Sequence, residues 1–267
     1  MRAYYSVFKL RLLIGMQYRA AAFAGVATQF FWGFMYIMIF EAFYKHAIHN
    51  QPISLKQLVT YMWLQQSFLA FIMLWFRDNE IFNTIISGNI AYELCRPTGL
   101  YGFWFSKLLA QRLSSAMLRC IPILIITFFL PEPYKMTLPP SFTTFLLFLA
   151  ALIFGLFLLV AISMFIYISV FKTMSPVGSL LLFSVLGEFL AGSVIPVPLM
   201  PSWMQDIVYM LPFRLTADFP FRVYSGNIHE GEAVKGIIVQ LVWLLGLVLI
   251  GRFALNKSLR KVVVQGG

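Results

Sequence analysis

Only ten of the 267 residues are acidic, and charged residues of both signs make up 11% of the chain. Ordinary soluble domains carry about 25%. So little charge cannot cover the surface of a water-soluble protein of this length, which excludes the soluble globular class. Histidine is nearly as scarce. His46, His49 and His229 stand apart, with no carboxylate or thiol at ligand spacing, so no metal centre is expected. Two cysteines, Cys95 and Cys120, are too few for a disulfide framework and read as small hydrophobes. No glycine is followed by lysine, so the phosphate-binding loop of a nucleotide hydrolase is missing. No nucleophile elbow occurs, and the basic N-terminus lacks the small-residue cleavage site of a signal peptide.

What the chain has instead is apolar length. Hydrophobic residues make up 60% of it. They gather into roughly six blocks near the 20 residues that cross a bilayer. These are 21–44, 58–76, 105–131, 142–171, 176–194 and 234–255. The pattern predicts an all-α integral membrane protein, one domain over 1–267, with six transmembrane helices and no soluble appendage. Residues 1–19, with Arg2, Lys9, Arg11 and Arg19 among Tyr4, Tyr5, Phe8 and Leu12, read as an interfacial helix. The formal charge of +10 does not point to nucleic acid, because the basic residues lie in the short segments between blocks. Placing both termini in the cytosol puts there the N-terminal cluster, Arg77, Arg96, Lys107, Arg112, Lys172 and the tail Lys257, Arg260 and Lys261. Fewer basic residues fall outside, which favours that orientation.

Three features could carry function. From Glu80 to Ser87, helical spacing puts Ile81, Phe82, Ile85 and Ile86 on one side and Glu80, Asn83, Thr84 and Ser87 on the other, and Gly88 supplies a stop. Such a two-faced helix either lies on lipid or docks into a groove of a partner. Second, Arg119 and Glu188 fall near mid-bilayer, where a lone charge costs about 2.5–3.5 kcal/mol. They either pair as an internal salt bridge that fixes packing or line a water-filled path for a substrate. Pro122, one turn after Arg119, could bend the third span. Third, Pro196, Pro198, Pro201 and Pro212 lie among apolar residues such as Trp203. Such a stretch is either a plain extracellular loop or a set of pieces at membrane depth, where backbone so interrupted is tolerated only inside protein or beside water.

Residues 86–97 read ISGNIAYELCRP, and residues 196–204 read PVPLMPSWM before Leu-Pro-Phe-Arg at 211–214. In this order the two segments resemble those of type-two ATP-binding-cassette permeases, and the plan of spans fits nearly all of the chain. The resemblance implies a permease subunit without ATPase motifs of its own, part of an ATP-driven exporter in the bacterial cytoplasmic (inner) membrane. ATP and magnesium would be held by two cytosolic ATP-binding-cassette ATPase subunits, and a second permease, identical or homologous, would complete a dimer. It further implies a cytosolic coupling region over 77–102, with Asn79, Glu80, Phe82, Asn83, Ile85, Ile86, Ser87 and Gly88 meeting the ATPase. Segment 189–212 would be a re-entrant outer gate, with Phe189, Ile195, Pro196, Pro198, Met200 and Pro201. The cargo would be hydrophobic or amphipathic.

Two readings of other classes stand beside it. A membrane-embedded enzyme would draw on Arg214, Asp206 and Asp218, the polar groups of one outer segment. A sensor or assembly protein would need no ATPase and would tolerate loss of Arg119 and Glu188.

Overall fold

The computed structural model describes residues 2–17, 19–46 and 51–260, and every regular element within them is helical. His49 and Lys261 lie outside the described residues. In chain order the helices are α1 (Arg2–Gln17), α2 (Arg19–His46), α3 (Leu55–Ser67), α4 (Leu69–Ile72), α5 (Asn79–Ile86) and α6 (Ile90–Leu94). There follow α7 (Leu100–Phe128), α8 (Phe142–Thr173), α9 (Pro176–Leu190), α10 (Ser202–Met210), α11 (Asp218–Tyr224) and α12 (Glu230–Leu259). Short 3-10 turns, Val197–Leu199 and Phe213–Thr216, flank α10.

Four helices are long and apolar enough to cross a bilayer: α2 from Ala22, α7, α8 and α12. Their outward faces stay apolar. On α12, Val234, Ile238, Val242, Leu245, Leu249 and Phe253 are all exposed, repeating every three or four residues as a lipid-facing stripe does. With these four helices and such faces, the chain has the character of a multi-pass membrane protein.

The other two expected spans differ from the sequence reading. The block 58–76 is not one helix: α3 ends at Ser67, Phe68 leaves helical geometry at φ −104°, and α4 runs only four residues. A local cause is visible. Ser67 Oγ donates to the Trp63 carbonyl at 2.8 Å, a back-bond that competes with the helical ladder. Every residue from Leu58 to Ser67 is buried, so α3 is a core helix surrounded by protein, with Thr60, Gln65, Gln66 and Ser67 among its buried residues. The fifth block gives α9, of 15 residues, which reaches about 22 Å against a hydrocarbon core of about 30 Å. It stops at a turn where Gly192, at φ +77°, is pressed between the Tyr61 hydroxyl and Asp218. A side chain there would be both strained and crowded.

Chain from Pro196 to Tyr224 then folds back onto the bundle. The deepest part lies beyond the expected limit of 212: α11 is buried at Asp218, Phe219, Pro220, Phe221, Val223 and Tyr224. Phe221 packs edge-on to Tyr61 and Tyr224 to Phe148. Gly155 on α8 admits the carbonyls of Leu215 and Thr216 at the distance where a Cβ would crowd them. Gln240 on α12, fully buried, donates to the Ala151 and Leu215 carbonyls at 2.9 and 2.8 Å. Helix α1 packs along the first half of α7: Tyr4 sits over Gly102, and Gly15 against Ser114.

The broken second block leaves carbonyls with no helical partner. Arg112 on α7, 1% exposed, supplies them: its two terminal nitrogens donate to Ala70, Met73 and Phe76 carbonyls at 3.0, 2.7 and 3.0 Å. One of them also reaches Ser163 Oγ at 3.2 Å. Charge-assisted bonds of this kind are worth about 1.5–3 kcal/mol each. Arg112→Met is therefore expected to destabilise the fold by at least about 3 kcal/mol. Thermal unfolding in detergent, compared with Arg112→Lys as a partial rescue, measures it; an unchanged midpoint in Arg112→Met would refute the assignment.

Candidate functional site

Helices α2, α3, α7 and the end of α9 line a half-open cavity of about 450 Å³. Its wall brings together the two charges singled out by sequence, Arg119 from α7 and Glu188 from the last turn of α9. They do not pair. Among the described residues neither side chain makes an ion pair or hydrogen bond, and Arg119 Nε and Glu188 Oε1 are buried without a partner. The internal salt bridge expected as one alternative is thus not formed. Glu188 also stands at the C-terminal end of its helix, where the macrodipole disfavours a negative charge.

Sequence reasoning missed the amides around this pair. Gln29, 3% exposed, lines the cavity from α2 with both Nε2 and Oε1 unpartnered. Gln65 donates to the Ser193 carbonyl and leaves its Oε1 unpartnered. Ser193 Oγ is likewise alone. A legible signal existed: glutamines at 29, 65 and 66 interrupt otherwise apolar blocks, and polar groups inside a membrane face an interior or a cavity. Trp32, Tyr36 and Trp75 supply the aromatic part of the wall. A larger, almost wholly apolar cavity of about 700 Å³ lies near Leu138 and Phe142. Leu64 and Phe68 line it, whereas Gln65 and Leu69 line the polar cavity, so the break in the second block forms part of both walls.

Helix α5 is held by charge as well as packing. Asp78 caps it, its Oδ1 accepting from the Glu80 and Ile81 amides at 2.9 and 3.4 Å. Lys107 on α7, its side chain 2% exposed, reaches Asp78 at 3.2 Å and Glu80 at 3.0 Å. Arg11 on α1 also bonds Glu80. The apolar side of α5 is spent within the chain: Ile81, Phe82 and Ile85 are buried, and Phe82 lies 4.5 Å from the Tyr167 ring. Phe82 and Ile85, expected as contacts to a partner, are therefore core residues. Asn79, Glu80, Asn83, Ile86, Ser87 and Gly88 are exposed, and they form the surface that a partner can reach. Gly88 sits at φ +76° as the helix stop expected of it. Burial would raise the Glu80 carboxyl, but the hydrogen bonds from Arg11 and Lys107 outweigh it and hold it below the ordinary value of 4.5.

The expected gate residues scatter. Pro196, Pro198 and Met200 are buried, Phe189 is half-buried, and Ile195 and Pro201 are exposed. On α10, Trp203, Ile207 and Met210 turn outward. The polar groups proposed for an enzyme differ in exposure. Asp218 is fully buried, accepting from the Val197 amide at 3.2 Å and from Tyr61 and Arg222 at 3.4 Å each. Arg214 stacks on Tyr209, and Asp206 is exposed. Among the described residues no group of three potential metal ligands occurs. No protein-family model, curated protein or solved structure matches the chain.

A carboxyl whose folded pKa is lowered stabilises the fold above its unfolded pKa, and that contribution is lost as pH falls through the folded value. Wild-type protein should therefore lose stability as pH drops from about 5 toward 3, and Glu80→Gln should flatten part of that slope. Unfolding midpoints across that range test it; identical slopes would show that Glu80 is not held this way. Lys107→Met strands the nearly buried Asp78 charge and is expected to cost about 3–5 kcal/mol at pH 7.

Proposed function

We propose that this chain is the permease subunit of an ATP-driven membrane exporter, with α5 as the helix that receives motion from partner ATPases and the polar cavity as the station for cargo. One observation carries the reading: α7 holds both ends of such a device. Near its start Lys107 grips Asp78 and Glu80 beside α5, and about 18 Å along the same helix Arg119 enters the cavity. A displacement of α5 passes through the Lys107 ion pairs into a single helix whose later half lines the cavity wall. The breaks at Phe68 and Gly192 supply the joints between which that wall can shift.

In this reading the full set of six spans is completed by α3 with α4 and by α9 with the folded-back segment, as broken rather than continuous crossings. Broken crossings are accepted in membranes where they line a cavity. Both termini and α5 lie in the cytosol, and two ATP-binding-cassette subunits dock on the exposed Asn79, Asn83, Ile86 and Ser87 side of α5. A second permease, identical or homologous, completes the path. ATP closure draws the ATPases together, α5 follows, and the cavity opens toward the side away from them. The cargo is hydrophobic or amphipathic, matching aromatic walls with a few polar groups.

The test is affinity purification of the tagged full-length chain from its native membrane in mild detergent, with identification of what is retained. A cytosolic subunit bearing a phosphate-binding loop is expected. Asn83→Arg, on the exposed face, should reduce its retention at least about tenfold, about 1.4 kcal/mol, without changing the unfolding midpoint. Ile85→Asp cannot serve, because Ile85 is 4% exposed and the change would bury a charge. A stable chain that retains no ATPase would overturn the proposal.

A further inference from the structure

The cavity contains two opposite charges that do not use each other. At membrane depth each costs energy alone, and a pair that served only packing would close to contact, where attraction offsets desolvation. Here Arg119 and Glu188 face one half-open cavity without meeting, and the groups beside them repeat the pattern. Gln29 offers an unpartnered donor and an unpartnered acceptor, and Gln65 a further acceptor, each from a side chain 3% exposed. Unmade hydrogen bonds on buried groups are expensive, about 1–3 kcal/mol apiece. Such a set is retained at a cost to the empty protein.

Its geometry is also built. Gly25 on α2 leaves room for the Arg119 guanidinium, whose Cζ would lie 3.1 Å from a Cβ at that position. Donors come from Arg119 and Gln29, acceptors from Glu188, Gln29 and Gln65. Trp32 and Trp75 flank them with apolar surface. When both are ionised, the two groups cancel in charge. A ligand with one charge would satisfy one of them and be repelled by the other, whereas a neutral apolar ligand would satisfy neither.

We propose that the cavity binds a dipolar amphipath, a molecule with an anionic and a cationic group on one apolar body, the anion at Arg119 and the cation at Glu188. This rests on the cavity being the cargo station proposed above and specifies the charge class of that cargo. Two sources present this chemistry: the zwitterionic headgroup of a membrane phospholipid, and a free dipolar small molecule. A volume of about 450 Å³ lies within the range of small-molecule sites.

The experiment uses full-length protein in phosphatidylglycerol nanodiscs, with tryptophan quenching by three probes that share one naphthyl-alkyl body. One probe is an amino acid, one the corresponding amine and one the corresponding carboxylic acid. The amino acid should bind at least tenfold more tightly than either relative. Glu188→Gln should bring the amino acid and the acid to equal affinity, and Arg119→Gln should do the same for the amino acid and the amine. Gln29→Leu removes two unpartnered polar atoms, so it should raise the unfolding midpoint of the empty protein while weakening the amino-acid probe at least fivefold. Equal binding of the three probes, unchanged selectivity in both charge variants, or unchanged affinity in Gln29→Leu overturns the proposal. Repeating the titration in phosphatidylethanolamine discs separates the sources. A tenfold weaker probe, restored by Arg119→Gln to parity between discs, assigns the site to a lipid headgroup; equal affinity in both discs assigns it to a free molecule. No ATPase takes part. Selective binding by a chain that retains no ATPase would overturn the exporter reading alone, and indiscriminate binding by a chain that retains one would overturn the dipolar-cargo inference alone.

Discussion

A bilayer offers no water to the carbonyls released where α3 breaks at Phe68, so the donors must come from protein, and Arg112 brings them. The arrangement inverts the usual account of a buried arginine. No carboxylate meets it among the described residues; the negative ends of backbone dipoles do, as at any helix C-terminus. With Arg112 in place the second apolar block can stop short and turn. That turn brings α5 against the end of α8, where the Tyr167 hydroxyl accepts from the Asp78 amide at 2.8 Å.

Three cations on α7 then differ only in what answers them. Lys107 is met by two carboxylates, Arg112 by carbonyls, and Arg119 by nothing among the described residues. The first two are paired within the fold, so their removal is a matter of stability. The third faces a half-open cavity. Glu188 occupies the same condition on α9, against its own helix dipole. Arg112 Nε and Gln240 Oε1 are also buried without a partner, but those side chains bond through their other polar atoms, whereas among the described residues the side chains of Arg119 and Glu188 make no bond at all.

The folded-back segment shows why the second half of the chain was harder to read. Its prolines marked an interrupted stretch at 196–212 but left open whether it was an external loop or lay inward. Which part goes deepest was not legible, because α11 carries Asp218 and Arg222 and looks polar in sequence. Those charges answer each other and Tyr61 inside the fold, so the stretch is buried despite them. For α5 the amphipathic spacing identified the helix and its stop, and the structure buried three of its four apolar residues. Spacing could not tell that the covering surface would be α8 of the same chain.

Composition and apolar block length by themselves determined that this chain is helical and lives in lipid, because a chain with so little charge has no other solvent. They also marked the amphipathic α5, the two opposite charges within apolar blocks and the proline-interrupted stretch, since each depends only on residue type along a local period. Tertiary structure alone decided which apolar blocks remain continuous, which face of α5 is left free, and that Arg119 and Glu188 share one cavity without pairing. Those outcomes depend on contacts between residues far apart in sequence, such as Arg112 with Met73 and Gly25 with Arg119. No local pattern encodes a distance between helices.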